Sequence, residues 1–197
     1  MAAAASSSGP RPTKHLTLLL LHDTDRQRVL LGLKKRGFGE DKYNGFGGKL
    51  EPGETVLAAA LREMHEESGV HAVDARLVGE IVFEFVGEEA VMRVHVFCAN
   101  RWTGEVAETA EMAPRWFPAD AVPYSSMWLD DRHWLPLLLR GQCFRARFLF
   151  RGHEAIDEME IEEVAGETFA GAELNVPVPA NAPFQTGIVP SFGKTSC

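Results

Sequence analysis

The stretch that decides the fold reads Gly48-Lys49-Leu50-Glu51-Pro52-Gly53-Glu54 and, seven residues on, Arg62-Glu63-Met64-His65-Glu66-Glu67-Ser68-Gly69-Val70. Ala58, Ala59 and Ala60 supply helix propensity and Ser68-Gly69 a C-terminal stop, so the spacing predicts a helix ending there. Glu63, Glu66 and Glu67 stand at i, i+3 and i+4, and at about 100° per residue they share one side of that helix. Leu57, Leu61 and Met64 recur at i, i+4 and i+7 on a different face, which can be buried. Like charges on one turn repel each other, so the stability of the helix alone does not ask for three of them. A divalent cation does. Clustered carboxylate oxygens suit Mg²⁺ or Mn²⁺, and those ions in turn suit phosphate-bearing substrates. A glutamate pair by itself reads as a solvated charge run. The full arrangement is more demanding: Gly48, five residues, Glu54, seven residues, Arg62-Glu63, Glu66-Glu67, Gly69 and the aliphatic Val70.

Composition bounds the partners. With 197 residues, 45% hydrophobic and 24% charged, the chain predicts one globular domain with a substantial core. A net charge of −8 argues against a nucleic-acid polymer as partner. It still allows a small polyphosphate, because bound cations invert the local field. Cys98, Cys143 and Cys197 form no C-x-x-C and no metal quartet, which suits a reducing compartment. No apolar run approaches the roughly 18 residues of a membrane span, so no membrane partner is expected. Residues 1–13 are Ala/Ser-rich without acids, slightly reminiscent of a transit segment but with a single Arg, and are expected to form a disordered tail.

The remaining elements arrange themselves around the box. His15–Leu21 and Val29–Lys35 are β-compatible runs joined by a polar turn over residues 23–28, a predicted hairpin. Residues 36–49 form a glycine-rich loop carrying Phe38, Tyr43, Asn44 and Phe46. Ala75–Val86 and Ala90–Asn100 predict two more strands, Trp116-Phe117 a short one, and Asp130–Arg140 a helix with acids at its start. Phe144–Phe150 and Glu158–Val164 alternate and are expected to pair as edge strands. Residues beyond Gly166 lack periodicity and predict a flexible tail over 167–197, leaving 14–166 as the domain. The expected class is α/β (α+β), a mixed sheet packed between helices in an α/β/α sandwich. On residue type alone, Trp128 and Trp134 read as core, Asp130-Asp131 as a helix cap, and Asn44-Gly45 as a turn.

The box spacing resembles that of the Nudix hydrolases, without a departure. That resemblance implies the Nudix fold and cleavage of a diphosphate linked to another moiety. It implies metal ligation by Glu63, Glu66 and Glu67 with Gly48, orientation of the carboxylates by Arg62, and Glu67 as ligand and base; Glu111 joins them, as a further acid from outside the box, only through a narrower likeness. The segments 28–39, 44–48, 81–88, 94–98 and 127–131 are similar to the branch of the family that acts on oxidised purine nucleoside triphosphates, a likeness running from Leu16 to Val164. This narrower resemblance implies a Mg²⁺-dependent (or Mn²⁺-dependent) monomeric enzyme in the cytoplasm and nucleus, with a mitochondrial fraction also conceivable. It would convert 8-oxo-dGTP, 2-hydroxy-dATP and O6-methyl-dGTP to the monophosphate and pyrophosphate. By the same resemblance Asn44, Asp130 and Asp131 read the base, and Phe38, Phe83, Met92, Trp128 and Trp134 form its walls. Thr17 and Lys34 lie toward the sugar and phosphates. Tyr43 stands where a tryptophan is expected and Leu129 where a proline is. Another Nudix diphosphate substrate, or a non-catalytic nucleotide-binding module, are the competing readings.

Overall fold

Four consecutive leucines, Leu18 to Leu21, point alternately to opposite faces of the sheet and are buried on both. A strand hidden on both faces reads as a continuous apolar run and sits in the middle of a sheet. In the computed structural model, which describes residues 11–170, that strand is β1 (Thr13–Asp23). It is followed by β2 (Arg28–Lys34), β3 (Tyr43–Asn44), helix α1 (Val56–Ser68), β4 (His71–Ala72), β5 (Arg76–Phe85) and β6 (Val91–Ala99). Then come β7 (Trp102–Thr103), β8 (Met112–Pro118), α2 (Asp131–Leu139), β9 (Cys143–Arg151), β10 (Ala155–Val164) and α3 (Glu167–Ala170).

The main sheet is mixed, in the order β10-β9-β5-β6-β1-β2-β3, with β8 also pairing β2. β1 runs parallel to β6 and β5 parallel to β9, while the other ladders are antiparallel. Leu18, Leu20, Val96, Phe144 and Phe148 pack on one face with Trp134, Leu135 and Leu138 of α2. Leu19, Leu21, Leu30 and Phe97 pack on the other with Val56, Ala60 and Met64 of α1. The sheet therefore lies between helices, as expected. α1 is closed at both ends by local chemistry. Thr55 accepts a hydrogen bond from the Ala58 amide (3.1 Å), and Gly69, at φ 77°, donates its amide to the His65 carbonyl (2.8 Å).

Several expectations need correction. The buried stripe of α1 is Val56, Ala60 and Met64, while Leu57 and Leu61 are half-buried at its border. β9 is an interior strand between β5 and β10, so of that pair β10 alone lies at an edge. The short strand at Trp116-Phe117 extends over Met112–Pro118 and pairs with all of β2. The small β4–β7 sheet was not foreseen. The ordered fold also begins before residue 14: Arg11 pairs with Glu84, the Pro12 carbonyl accepts the Val91 amide (2.9 Å), and Thr13 opens β1. At the other end α3 carries Phe169, 5% exposed, into the α1-side core, so the expected tail boundary at Gly166 is too early. The rest of the expected tails, 1–10 and 171–197, falls outside the described residues.

Burying a phenylalanine contributes about 2 kcal/mol. A chain ending at Gly166 should consequently melt roughly 4–8 °C below one ending at Ala170. Equal melting temperatures by differential scanning fluorimetry would show that Phe169 adds nothing to the fold.

Candidate active site

A close approach of two backbones builds the site. The Leu19 amide donates to the Phe46 carbonyl (2.6 Å), Phe46 to Leu19 (3.0 Å), and the Thr17 amide to the Gly48 carbonyl (2.9 Å). The glycine-rich loop thus runs as an extra ladder along the first half of β1. A Cβ at position 47 would overlap the Thr17 carbonyl oxygen, and one at position 48 would lie 2.5 Å from Glu63 Oε1. Only glycine fits at position 47, where the neighbour is backbone; at position 48 a side chain would push the Glu63 carboxylate aside. The Gly47 amide, brought in this way under α1, donates to Glu67 Oε2 (2.9 Å). Glu67 is 3% exposed.

Two cations divide the carboxylates between them. Arg62 grips Glu54 through Nε (2.9 Å) and Nη2 (3.0 Å), and reaches Glu63 (2.9 Å) and Glu66 (3.1 Å) through Nη1. Lys34 Nζ lies 2.5 Å from Glu111 and 3.2 Å from Glu67, and Arg36 stands 3.6 Å from Glu111. Burial raises the Glu67 carboxyl above the ordinary range against the Gly47 amide and Lys34, which work to lower it. Lys34 holds Glu111 below the ordinary range. Burial alone would lower the Lys34 ammonium, but its two acids outweigh that and raise it. Among the described residues, no three carboxylate, histidine or cysteine side chains converge tightly enough to enclose a metal. The expected ligands therefore line one wall as two salt-bridged sets rather than one cluster. The donors nonetheless fit a hard divalent cation: they are carboxylate and carbonyl oxygens, and the missing Cβ of Gly48 leaves room for Glu63 against the loop.

The far end is built by the start of α2. Asp130 and Asp131 are 5% and 2% exposed, and neither caps the helix in the usual manner. Asp130 Oδ2 accepts from Trp134 Nε1 (3.0 Å), and Asp131 Oδ2 from the Trp128 amide (2.9 Å). Burial pushes Asp130 up to about 6 despite the indole N–H, and pushes Asp131 well up, helped by the neighbouring Asp130 charge. Asn44 Oδ1 accepts from the Gly45 amide (2.9 Å), which is turn chemistry, and its side-chain amide nitrogen can serve a ligand as a donor. Phe38 stacks on Trp128 (centroids 4.9 Å, 23°). Trp134 is core as well as wall, stacked on Phe144 at 5.6 Å with its indole nitrogen fixing Asp130.

Both ends open into one cleft of about 1110 Å³. Every residue singled out from sequence lines it: Thr17, Lys34, Phe38, Asn44, Gly48, Arg62, Glu63, Glu66, Glu67, Phe83, Met92, Glu111, Trp128, Asp130, Asp131 and Trp134. The buried Thr17 hydroxyl has no hydrogen-bond partner among the described residues, so a ligand atom could use it. Sequence reading missed the Gly47 amide, the grip of Glu54 on Arg62, and the walls supplied by Phe85, Phe150 and His153. Glu54 was legible in the box; the aromatic walls came from strands whose partners no local signal revealed.

The raised acids affect stability with a definite sign. A carboxyl whose folded value lies above its unfolded one favours the fold fully below about pH 4, and that contribution is lost as pH rises through the folded value. For Asp130 the window is about pH 4 to 6. Asp130→Asn keeps an oxygen for the Trp134 N–H and cannot ionise. Its melting temperature minus wild type's should be near zero at pH 4, rise through the window to about pH 6, and level off above it. A difference that stays flat across that window would show Asp130 to be ionised at no cost.

With this geometry in view, comparison with known proteins is decisive about family. The NUDIX domain family matches residues 13–138. The chain is 49% identical over 152 residues to the oxidized purine nucleoside triphosphate hydrolase of Danio rerio, covering 77% of this chain and 96% of that protein. It is 46% identical over 138 residues to the protein of the same name from Mus musculus, covering 70% and 88%. Among solved structures, the Bacillus halodurans MutT protein superposes with a TM-score of 0.68 at 22% identity, covering 76% of this chain and 97% of that one, a likeness of fold. Members of the family in general need a divalent metal. A box helix, an acidic wall and a mixed sheet between helices thus meet a sequence match over most of the domain, and the chain belongs to the Nudix hydrolase family.

Proposed function

We propose that the protein hydrolyses oxidised or alkylated purine nucleoside triphosphates, such as 8-oxo-dGTP, 2-hydroxy-dATP and O6-methyl-dGTP, to the monophosphate and pyrophosphate. The observation that carries this reading is the buried Asp130/Asp131 pair at one end of a cleft whose other end is walled by Glu63, Glu66, Glu67 and Glu111. Two carboxyls raised by burial can divide one proton between them, so that one donates while the other accepts. Moving that proton lets one site meet an oxidised guanine or a hydroxylated adenine. Asn44 adds a donor on the same side, and Trp128 a face for stacking, worth about 1–3 kcal/mol per base. The names carried by the zebrafish and mouse relatives agree with this substrate class.

At the phosphate end, Mg²⁺ is the proposed cofactor, with Mn²⁺ able to replace it. When bound, such a cation neutralises phosphate charge and lowers the pKa of a bound water. Glu63, Glu66, Glu67, Glu111 and the Gly48 carbonyl would hold it. Arg62 keeps Glu63 and Glu66 oriented toward the cleft through its three carboxylate contacts. Glu67, held by the Gly47 amide, is the proposed base that takes a proton from the attacking water. Lys34 faces the phosphates with its ammonium group, and Thr17 offers its unpartnered hydroxyl. The enzyme is proposed to act as a monomer on a free nucleotide. A different nucleoside diphosphate substrate would leave the buried acid pair without a purpose.

Two predictions separate the ends. Glu67→Gln should lower turnover by about 10²–10⁴ at saturating Mg²⁺ with folding retained. Wild-type turnover would remove Glu67 from the mechanism. Asp130→Asn and Asp131→Asn each fix one acid as a permanent amide, and mismatching a buried hydrogen bond costs about 1–3 kcal/mol, or roughly ten- to hundredfold in kcat/KM. The ratio of activity on 8-oxo-dGTP to that on 2-hydroxy-dATP should therefore shift in at least one of them, without a change in Mg²⁺ dependence. Asn44→Ala should weaken both substrates. Wild-type ratios in both aspartate mutants would mean the base is read elsewhere.

A further inference from the structure

At the turn between β9 and β10, His153 reaches back over the base end of the cleft. Its ring centroid lies 5.4 Å from Phe38, 5.4 Å from Phe85 and 6.4 Å from Trp128. The interplanar angles are 72°, 67° and 65°, so the imidazole stands on edge to all three rings. The partners come from separate elements: Phe38 from the β2–β3 loop, Phe85 from the end of β5, and Trp128 from the segment before α2. His153 also lines the smaller adjoining hollow behind Trp128, together with Lys42, whose ammonium lies 5.1 Å over the Trp128 ring. Phe38 is 65% exposed although it stacks on Trp128. An apolar ring left this open at a cleft mouth is a surface a flat ligand can cover, and edge-to-face contact with His153 limits how far the ligand extends sideways.

We propose that His153 is a specificity-determining residue, forming the outer wall of the base pocket and setting the size of substituent that a bound purine can carry at the edge facing the hairpin. This rests on the proposed purine triphosphatase reading. Its imidazole differs from the aromatic residues beside it in offering both a hydrogen-bond donor and an acceptor to that edge. Deep in the pocket the acids read the base. At the rim His153 sorts bases by bulk. The bland alternative is a surface histidine that merely packs the hairpin against the loop; loss of such a contact would weaken all substrates alike or none.

The test compares wild type, His153→Ala and His153→Phe on guanosine and adenosine triphosphates bearing a small or a bulky substituent at C2, O6 or C8. In His153→Ala the ratio of kcat/KM for the bulky against the small substituent should rise about tenfold or more at one edge at least, the order expected for opening an apolar wall by several carbons. The change should fall on KM rather than kcat, and His153→Phe should restore the exclusion. Unchanged ratios at all three positions, or a uniform fall across the panel, would overturn the role of His153 while leaving the triphosphatase reading intact. Wild-type inactivity on every damaged purine would instead overturn that reading, and this inference with it.

Discussion

The hydrogen bond from the Gly47 amide to the Glu67 carboxylate ties together the three parts on which the rest depends: the glycine-rich loop, the box helix and the central strand. It exists because the loop lies against β1 so closely that a side chain at position 47 would occupy the space of the Thr17 carbonyl. Burying a carboxylate is costly unless donors meet it. The Gly47 amide and the Lys34 ammonium both meet Glu67. Move the loop outward and Glu67 loses a donor while α1 loses its register against Leu19 and Leu21. The loop, in turn, delivers Asn44 and Phe38 to the opposite end of the cleft. One close backbone contact thus positions both the phosphate wall and part of the base wall.

The cleft is acidic at both ends, in a chain of net charge −8, yet the two ends hold their acids differently. At the box end the carboxylates are paired with Arg62 and Lys34, which orient them, only partly offset their charge, and leave hard oxygen donors facing the cleft. At the base end burial dominates, and a proton is the counter-ion for the aspartates. Charge that is to meet a polyphosphate wants a mobile cation; charge that is to read a neutral heterocycle wants a mobile proton. The difference in environment, rather than in residue type, separates the two tasks.

Much of this was legible in the residues. The box helix, its caps and its acidic side followed from spacing, and the helix over α2 from its acids and terminal glycine. The box and the narrower family likeness named the candidate side chains, and the structure brings them to one cleft. What stayed hidden depends on distant pairing. β9 lies parallel to β5, and nothing local distinguishes a strand buried by a parallel neighbour from an alternating edge strand. β8 runs through Pro114 and Arg115, which break alternation, and is held by β2 rather than by its own pattern. Phe169 sits in a stretch without period, so its burial came from a single side chain joining the α1-side core, with the Arg145 guanidinium 5.8 Å over its ring. The Trp134–Asp130 bond was missed because residue type reads the tryptophan as core and the aspartate as a helix cap, and neither signal pairs the two side chains.

In the proposed mechanism a proton-sharing acid pair selects damaged purines for a metal-assisted cleavage at the other end of the cleft. The most direct measurement is pyrophosphate release from 8-oxo-dGTP and from dGTP, side by side, with and without Mg²⁺. This selection requires release that depends on the cation, with kcat/KM for the oxidised nucleotide at least about tenfold above that for dGTP, the scale of one well-made buried hydrogen bond. Equal kcat/KM for the two nucleotides, or release that is indifferent to the cation, would contradict it.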